Sequence, residues 1–66
     1  DPANFTPAQK FQPGDLVRYT GNESEILRLW PEPVRVVSVT GGVMLTLPVA
    51  GGKTDTVGIW GWELVP

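Results

Sequence analysis

Apolar and polar positions alternate along most of the chain, in short runs cut by glycine and proline. A period of two puts successive side chains on opposite faces of an extended strand. The first such run is 16–20, after the turn signal Pro13-Gly14-Asp15, with Val17 and Tyr19 on one face and Leu16 and Arg18 on the other. Residues 34–39 follow Pro33 and are β-branched and apolar on both faces apart from Arg35 and Ser38, which predicts a central strand. Thr40-Gly41-Gly42 reads as a hairpin turn. Residues 43–47 form the third strand, with Val43, Leu45 and Leu47 on one face, Met44 and Thr46 on the other, and Pro48 as its stop. Gly51-Gly52 marks a second hairpin tip, and 54–60 is the fourth strand, with Val57 and Ile59 inward. Gly61-Trp62-Glu63 then turns the chain, and Leu64-Val65 adds a terminal β stub.

Only residues 22–30 depart from this rhythm. Ile26, Leu29 and Trp30 fall at i, i+3 and i+4, and Asn22 with Glu25 has the spacing of a capping box. Pro31 stops any helix. One or two helical turns are predicted there, inside a long first loop; the alternative is an irregular loop that folds Leu27 and Trp30 onto the strands. Residues 1–10 carry no periodic pattern and read as an extended arm, leaving 11–66 as the domain. The predicted class is all-β, with five short strands closing a small barrel.

Composition narrows the chemistry. A chain of 66 residues is one small domain with a thin stability margin, open to completion by a partner or by self-association. It has no Cys and no His, so disulfides, thiolate metal sites and the commonest general base near neutral pH are excluded. Net charge is −2, and the five basic residues Lys10, Arg18, Arg28, Arg35 and Lys53 are scattered, which argues against a nucleic-acid partner. No apolar run approaches the ~20 residues of a membrane span and no signal peptide is visible, so a cytoplasmic chain without a membrane partner is expected. Asn4-Phe5-Thr6 and Asn22-Glu23-Ser24 fit the glycosylation triplet, a pattern common by chance.

The order of signals resembles the SH3-like barrel superfamily over residues 11–65. The residues that carry it are Phe11-Gln12-Pro13-Gly14-Asp15-Leu16-Val17-Arg18, the strand Val34-Arg35-Val36-Val37-Ser38-Val39, and the close Trp60-Gly61-Trp62-Glu63-Leu64-Val65. The opening and the Glu-Leu ending look like many small bacterial barrels of this type. That likeness implies a fold, and a fold does not fix a function. The plasmid-borne type II dihydrofolate reductases are a second resemblance. Gly14-Asp15-Leu16-Val17-Arg18 is similar to their Gly-Asp-x-Val-Arg strand, and Val57-Gly58-Ile59-Trp60 has the shape of their Val-Gln-Ile-Tyr segment. This resemblance implies a tetramer around one pore that binds nicotinamide and pterin ligands. Gly58 stands where the family's Gln makes amide hydrogen bonds, Trp60 stands for the Tyr, and Tyr19 falls near the family's basic residue. The polar groups of that site are missing, so its activity is not carried over.

No pair of the carboxylates Asp1, Asp15, Glu23, Glu25, Glu32, Asp55 and Glu63 shares an evident cleft by spacing, and Ser24 and Ser38 lack a His partner. Asp15, after Pro-Gly, is expected to hydrogen-bond backbone in its own turn. No catalytic residue, metal site or cofactor is assigned. The aromatics are the stronger lead: three Trp, one Tyr and two Phe exceed what one small core needs. Barrels of this kind bind extended chains on aromatics from loops and the last turn. Tyr19, Trp30, Trp60 and Trp62 are therefore the candidate partner-binding residues, against the alternative that Trp30 and one of Trp60 or Trp62 close the barrel ends. Met44, on the outer face, extends a self-association surface in this reading. The leading expectation is a non-catalytic protein-interaction or assembly module that binds a partner chain or itself. The alternatives are an oligomeric pore enzyme of the type II reductase kind and a nucleic-acid-associated module of the KOW type.

Overall fold

The computed structural model describes residues 11–66. The arm expected at 1–10 lies outside the described residues. The chain forms β1 (Leu16–Tyr19), α1 (Ser24–Leu29), β2 (Val34–Arg35), β3 (Ser38–Thr40), β4 (Met44–Val49), β5 (Lys53–Gly58) and β6 (Trp62–Leu64). The strands make two antiparallel three-stranded sheets, ordered β2-β1-β6 and β3-β4-β5. Among the described residues the protein is therefore all-β apart from one short helix, with six strands in two sheets where the sequence predicts five.

The sixth strand comes from a bend. The predicted strand 34–39 divides into β2 and β3 at Val36-Val37. Val36 belongs to the first sheet: its amide donates to Asp15 O (2.9 Å) and its carbonyl accepts from Gly14 N (2.8 Å). The Val37 amide turns to the second sheet and donates to Thr46 O at 2.8 Å. One continuous segment thus serves both sheets, which side-chain alternation alone does not reveal.

Pro48 does not end β4, which runs on to Val49. On one side Pro48 pairs with Thr54 of β5, while β3 reaches only as far as Thr46 on the other. The missing amide therefore has no strand opposite it. The turn after β3 is closed by Val43 N–H to Thr40 O, and both central residues, Gly41 (φ 62°) and Gly42 (φ 73°), have positive φ, as a mirror-image hairpin turn requires. The final turn centres on Trp60-Gly61 rather than on Trp62; the Trp62 N–H closes it on Ile59 O, and Trp62 already opens β6.

In α1 the expected capping box is absent. Glu23 is the N-cap with φ −73° and ψ 115° and no side-chain cap bond. Its amide is satisfied by Tyr19 Oη at 3.2 Å, a partner from β1 rather than from the loop. Ile26 packs partly buried on the core, while Leu27 and Leu29 are exposed. Asp15 behaves as its turn chemistry predicts: Oδ2 accepts from Gln12 N at 2.9 Å.

The core joins both sheets. Val17 comes from β1, Leu45 and Leu47 from β4 and Val36 from the bend, with Phe11, Trp30, Ile59 and Trp62 around them. Each such side chain contributes roughly 1.5–3 kcal/mol by burial.

Candidate functional site

The four aromatic candidates part company in the structure. Trp30 and Trp62 are core residues, 5% and 6% exposed. Their rings meet edge to face at 5.7 Å, and Tyr19 tilts against Trp62 at 5.3 Å. Such offset and edge-on pairs are the favourable aromatic geometries. Trp30 Nε1 donates to Pro48 O at 2.7 Å and so ties the end of the long loop to β4. Trp62 Nε1 is buried with no partner among the described residues. Tyr19 is half-buried and wedged against two glycines: a Cβ on Gly61 would meet its ring at 2.6 Å, and one on Gly21 would collide with its hydroxyl end. These three aromatics hold the fold together.

Trp60 is the opposite case, 70% exposed. Register explains where it stands. On β4, Leu45 and Leu47 are buried, so Met44, Thr46 and Pro48 point outward. Directly paired residues share a face, which adds Gly58, Thr56 and Thr54 from β5 and Thr40 and Ser38 from β3. A Cβ on Gly58 would collide equally with Cε3 and Cζ3 of Trp60, yet lie 3.7 Å from the adjoining Cδ2. Only a point close to the ring plane satisfies these three distances together. The indole therefore turns its Cε3–Cζ3 edge toward Gly58, the residue paired with Met44.

The ground around it is uncharged. Ser38, Thr40, Thr46, Thr54 and Thr56 supply hydroxyls, Met44 and Pro48 supply apolar surface, and none of the outward residues from the three strands ionises. Thr46 Oγ1 and Thr56 Oγ1 lie 3.5 Å apart across the β4–β5 pair. Hydroxyls both donate and accept, so this face can serve either kind of backbone group.

The free side of β5 is partly closed. Ile59 N–H bonds to Val43 O, and antiparallel pairs alternate, so Thr54, Thr56 and Gly58 direct their amides away from β4. The middle one is taken: Thr56 N donates to Asp55 Oδ1 at 2.8 Å. An added strand would find its central donor occupied, the usual manner of blunting an edge.

Sequence reasoning reached Trp60 but not its setting. The signal was Gly58, two residues earlier and hence on the same face, a seat with no side chain of its own. The same glycine occupies the Gln position of the reductase-like segment, and any side chain there would displace the indole. Among the described residues, no cluster of three or more Asp, Glu, His or Cys is placed to hold a metal, and no helix is long and apolar enough to cross a membrane. Compared with known proteins, the chain matches no family model, no curated protein and no solved structure.

Proposed function

We propose that this protein is a non-catalytic interaction module that docks a partner chain on the outer face of β3-β4-β5, with Trp60 as the anchor. One observation carries the reading: an indole 70% exposed, resting against Gly58 at the Met44 end of edge strand β5, beside a sheet face whose outward side chains are uncharged. Interface centres are depleted in charge and enriched in aromatics and Met, and Trp is the commonest type of hot spot. A solvated surface has no need of such an arrangement, because charged side chains solvate at lower cost.

The reading takes the two sheets as halves of an SH3-like barrel. The hydrogen bonding of Val36 to one sheet and Val37 to the other supports it, since a strand bent in this way is shared between the halves. The binding surface then lies on the outer wall rather than at the barrel mouth.

The test is selection of a random peptide library on the immobilised protein, with Trp60→Ala as counter-target. Peptides that prefer the wild type by ~30-fold, the size of a hot spot, are expected. Binders that ignore the substitution, while the variant keeps its circular dichroism, would overturn the docking role.

A further inference from the structure

The long loop 21–33, between β1 and β2, is held differently from the rest of the chain. Trp30 is its one buried residue, with Gly21 and Ile26 half-buried. No residue of α1 is buried, and Leu27 and Leu29 are 42% and 37% exposed. A segment with so few buried apolar contacts belongs to the low end of local stability. Two side-chain bonds tether it to the sheets. Near its start Glu23 N donates to Tyr19 Oη at 3.2 Å, and near its end Trp30 Nε1 donates to Pro48 O at 2.7 Å. The Glu25–Arg28 pair lies wholly within α1 and adds no tether.

Trp62 acts against these two bonds. Its Nε1 is buried with no partner among the described residues, so folding strips this donor of water and returns no hydrogen bond. Two rings pack on it: Trp30, which belongs to the loop, and Tyr19, which carries the first tether. When the loop lifts, Trp30 leaves with it and the Trp62 indole meets water. The two indole N–H groups therefore favour opposite states. That of Trp30 is bonded only when the loop is closed, and that of Trp62 is hydrated only when it is open. The β4–β5 ladder, with Leu45 and Leu47 fully buried, does not depend on either.

We infer that residues 21–33 form a strap poised to open, in a local motion that bares the Trp62 indole while the β4–β5 pair stays folded. Trp60 takes no part in it, so the strap is independent of the docking role proposed above.

Hydrogen exchange read by NMR on the full chain tests this. The Leu27 and Trp30 amides, bonded to Glu23 O and Ile26 O, report the strap, and the paired Leu45 and Val57 amides report the ladder. The Trp62 indole N–H is expected to share the protection of the strap amides, about tenfold or more below that of the ladder. An indole N–H protected as strongly as the ladder would overturn the strap. Each buried indole is then replaced in turn, by chemical synthesis of the chain, with benzothienylalanine, which keeps the bicyclic shape and lacks the N–H. At Trp62 this is expected to raise strap protection about tenfold, and at Trp30 to lower it about tenfold, because one donor is unpaired when buried and the other is bonded. A change of the same sign at both positions, or none at Trp62, would overturn the inference. Should a synthetic chain fail to fold, Tyr19→Phe is the second variant. Its loss of one tether is expected to lower strap protection about fivefold with the ladder unchanged, and strap protection equal to wild type would overturn the inference.

Discussion

The two sheets use their side chains in opposite senses. Sheet β2-β1-β6 keeps its aromatics inside, where Tyr19, Trp62 and Trp30 interlock, and presents charge outside through Arg18, Glu63 and Arg35 with Leu16. Arg18 Nε donates to Glu63 Oε2 at 2.6 Å across the β1–β6 pair, and Arg35 Nη1 donates to Gly14 O at 2.9 Å. Sheet β3-β4-β5 has aliphatic Leu45 and Leu47 inside and hydroxyls with one indole outside. Indoles of one chemical type thus sit in two settings, and the neighbours decide which. A ring that packs on other rings holds the fold, whereas the ring against Gly58 stays open to solvent.

The contrast breaks most visibly in stability. Trp62→Ala is expected to cost about 3–5 kcal/mol, enough to unfold most molecules of so small a domain, whereas Trp60→Ala stays within about 0.5 kcal/mol of wild type. Urea denaturation followed by circular dichroism checks both, and equal losses would erase the division between the two indoles. A finer cut compares the buried pair. Trp30→Phe removes the donor to Pro48 O, but Trp62→Phe removes a donor that has no partner among the described residues. The first is expected to be the more destabilising by roughly 1 kcal/mol, the typical net worth of one hydrogen bond. Of comparable size, but read in binding rather than stability, is Thr46→Arg, which carries the charge of one sheet's outer face onto the other. Its stability is expected to shift by no more than about 0.5 kcal/mol, while peptide affinity measured by calorimetry falls about tenfold. Smallest is the Arg18–Glu63 pair. Both groups are substantially exposed, so a double-mutant cycle is expected to return ~1 kcal/mol or less, falling further in high salt, with no change in peptide affinity.

Much of the fold was legible because it rests on alternation. The alternation of 44–47, the inward placement of Val17, Leu45, Leu47 and Ile59, and the glycine hairpins follow from a period of two and from turn residues such as Gly41 and Gly42, whereas Val43, expected on the face of Leu45 and Leu47, lies before β4 and is exposed. The corner at Val36-Val37 was not legible, since apolar residues on both sides of a strand describe a bend between two sheets as well as a central strand. Pro48 and the missing cap at Asn22 have a common cause: each depends on a residue distant in sequence, the short reach of β3 in one case and Tyr19 Oη in the other. The candidate site was half legible. Counting indoles showed a surplus, but only the Met44–Gly58 register says which of them is the surplus one.

Tyr19 carries a consequence of its own. Its ring rests against Gly21, where the long loop departs, and against Gly61, where the last strand is about to begin, and its hydroxyl holds the amide that starts the helix. Two stretches forty residues apart in sequence therefore share one latch. Loosening either end is expected to release the other, so that the helical loop and the carboxy-terminal strand open as one unit; hydrogen exchange with a common rate for their amides is the expected outcome, and clearly separate rates would refute the coupling.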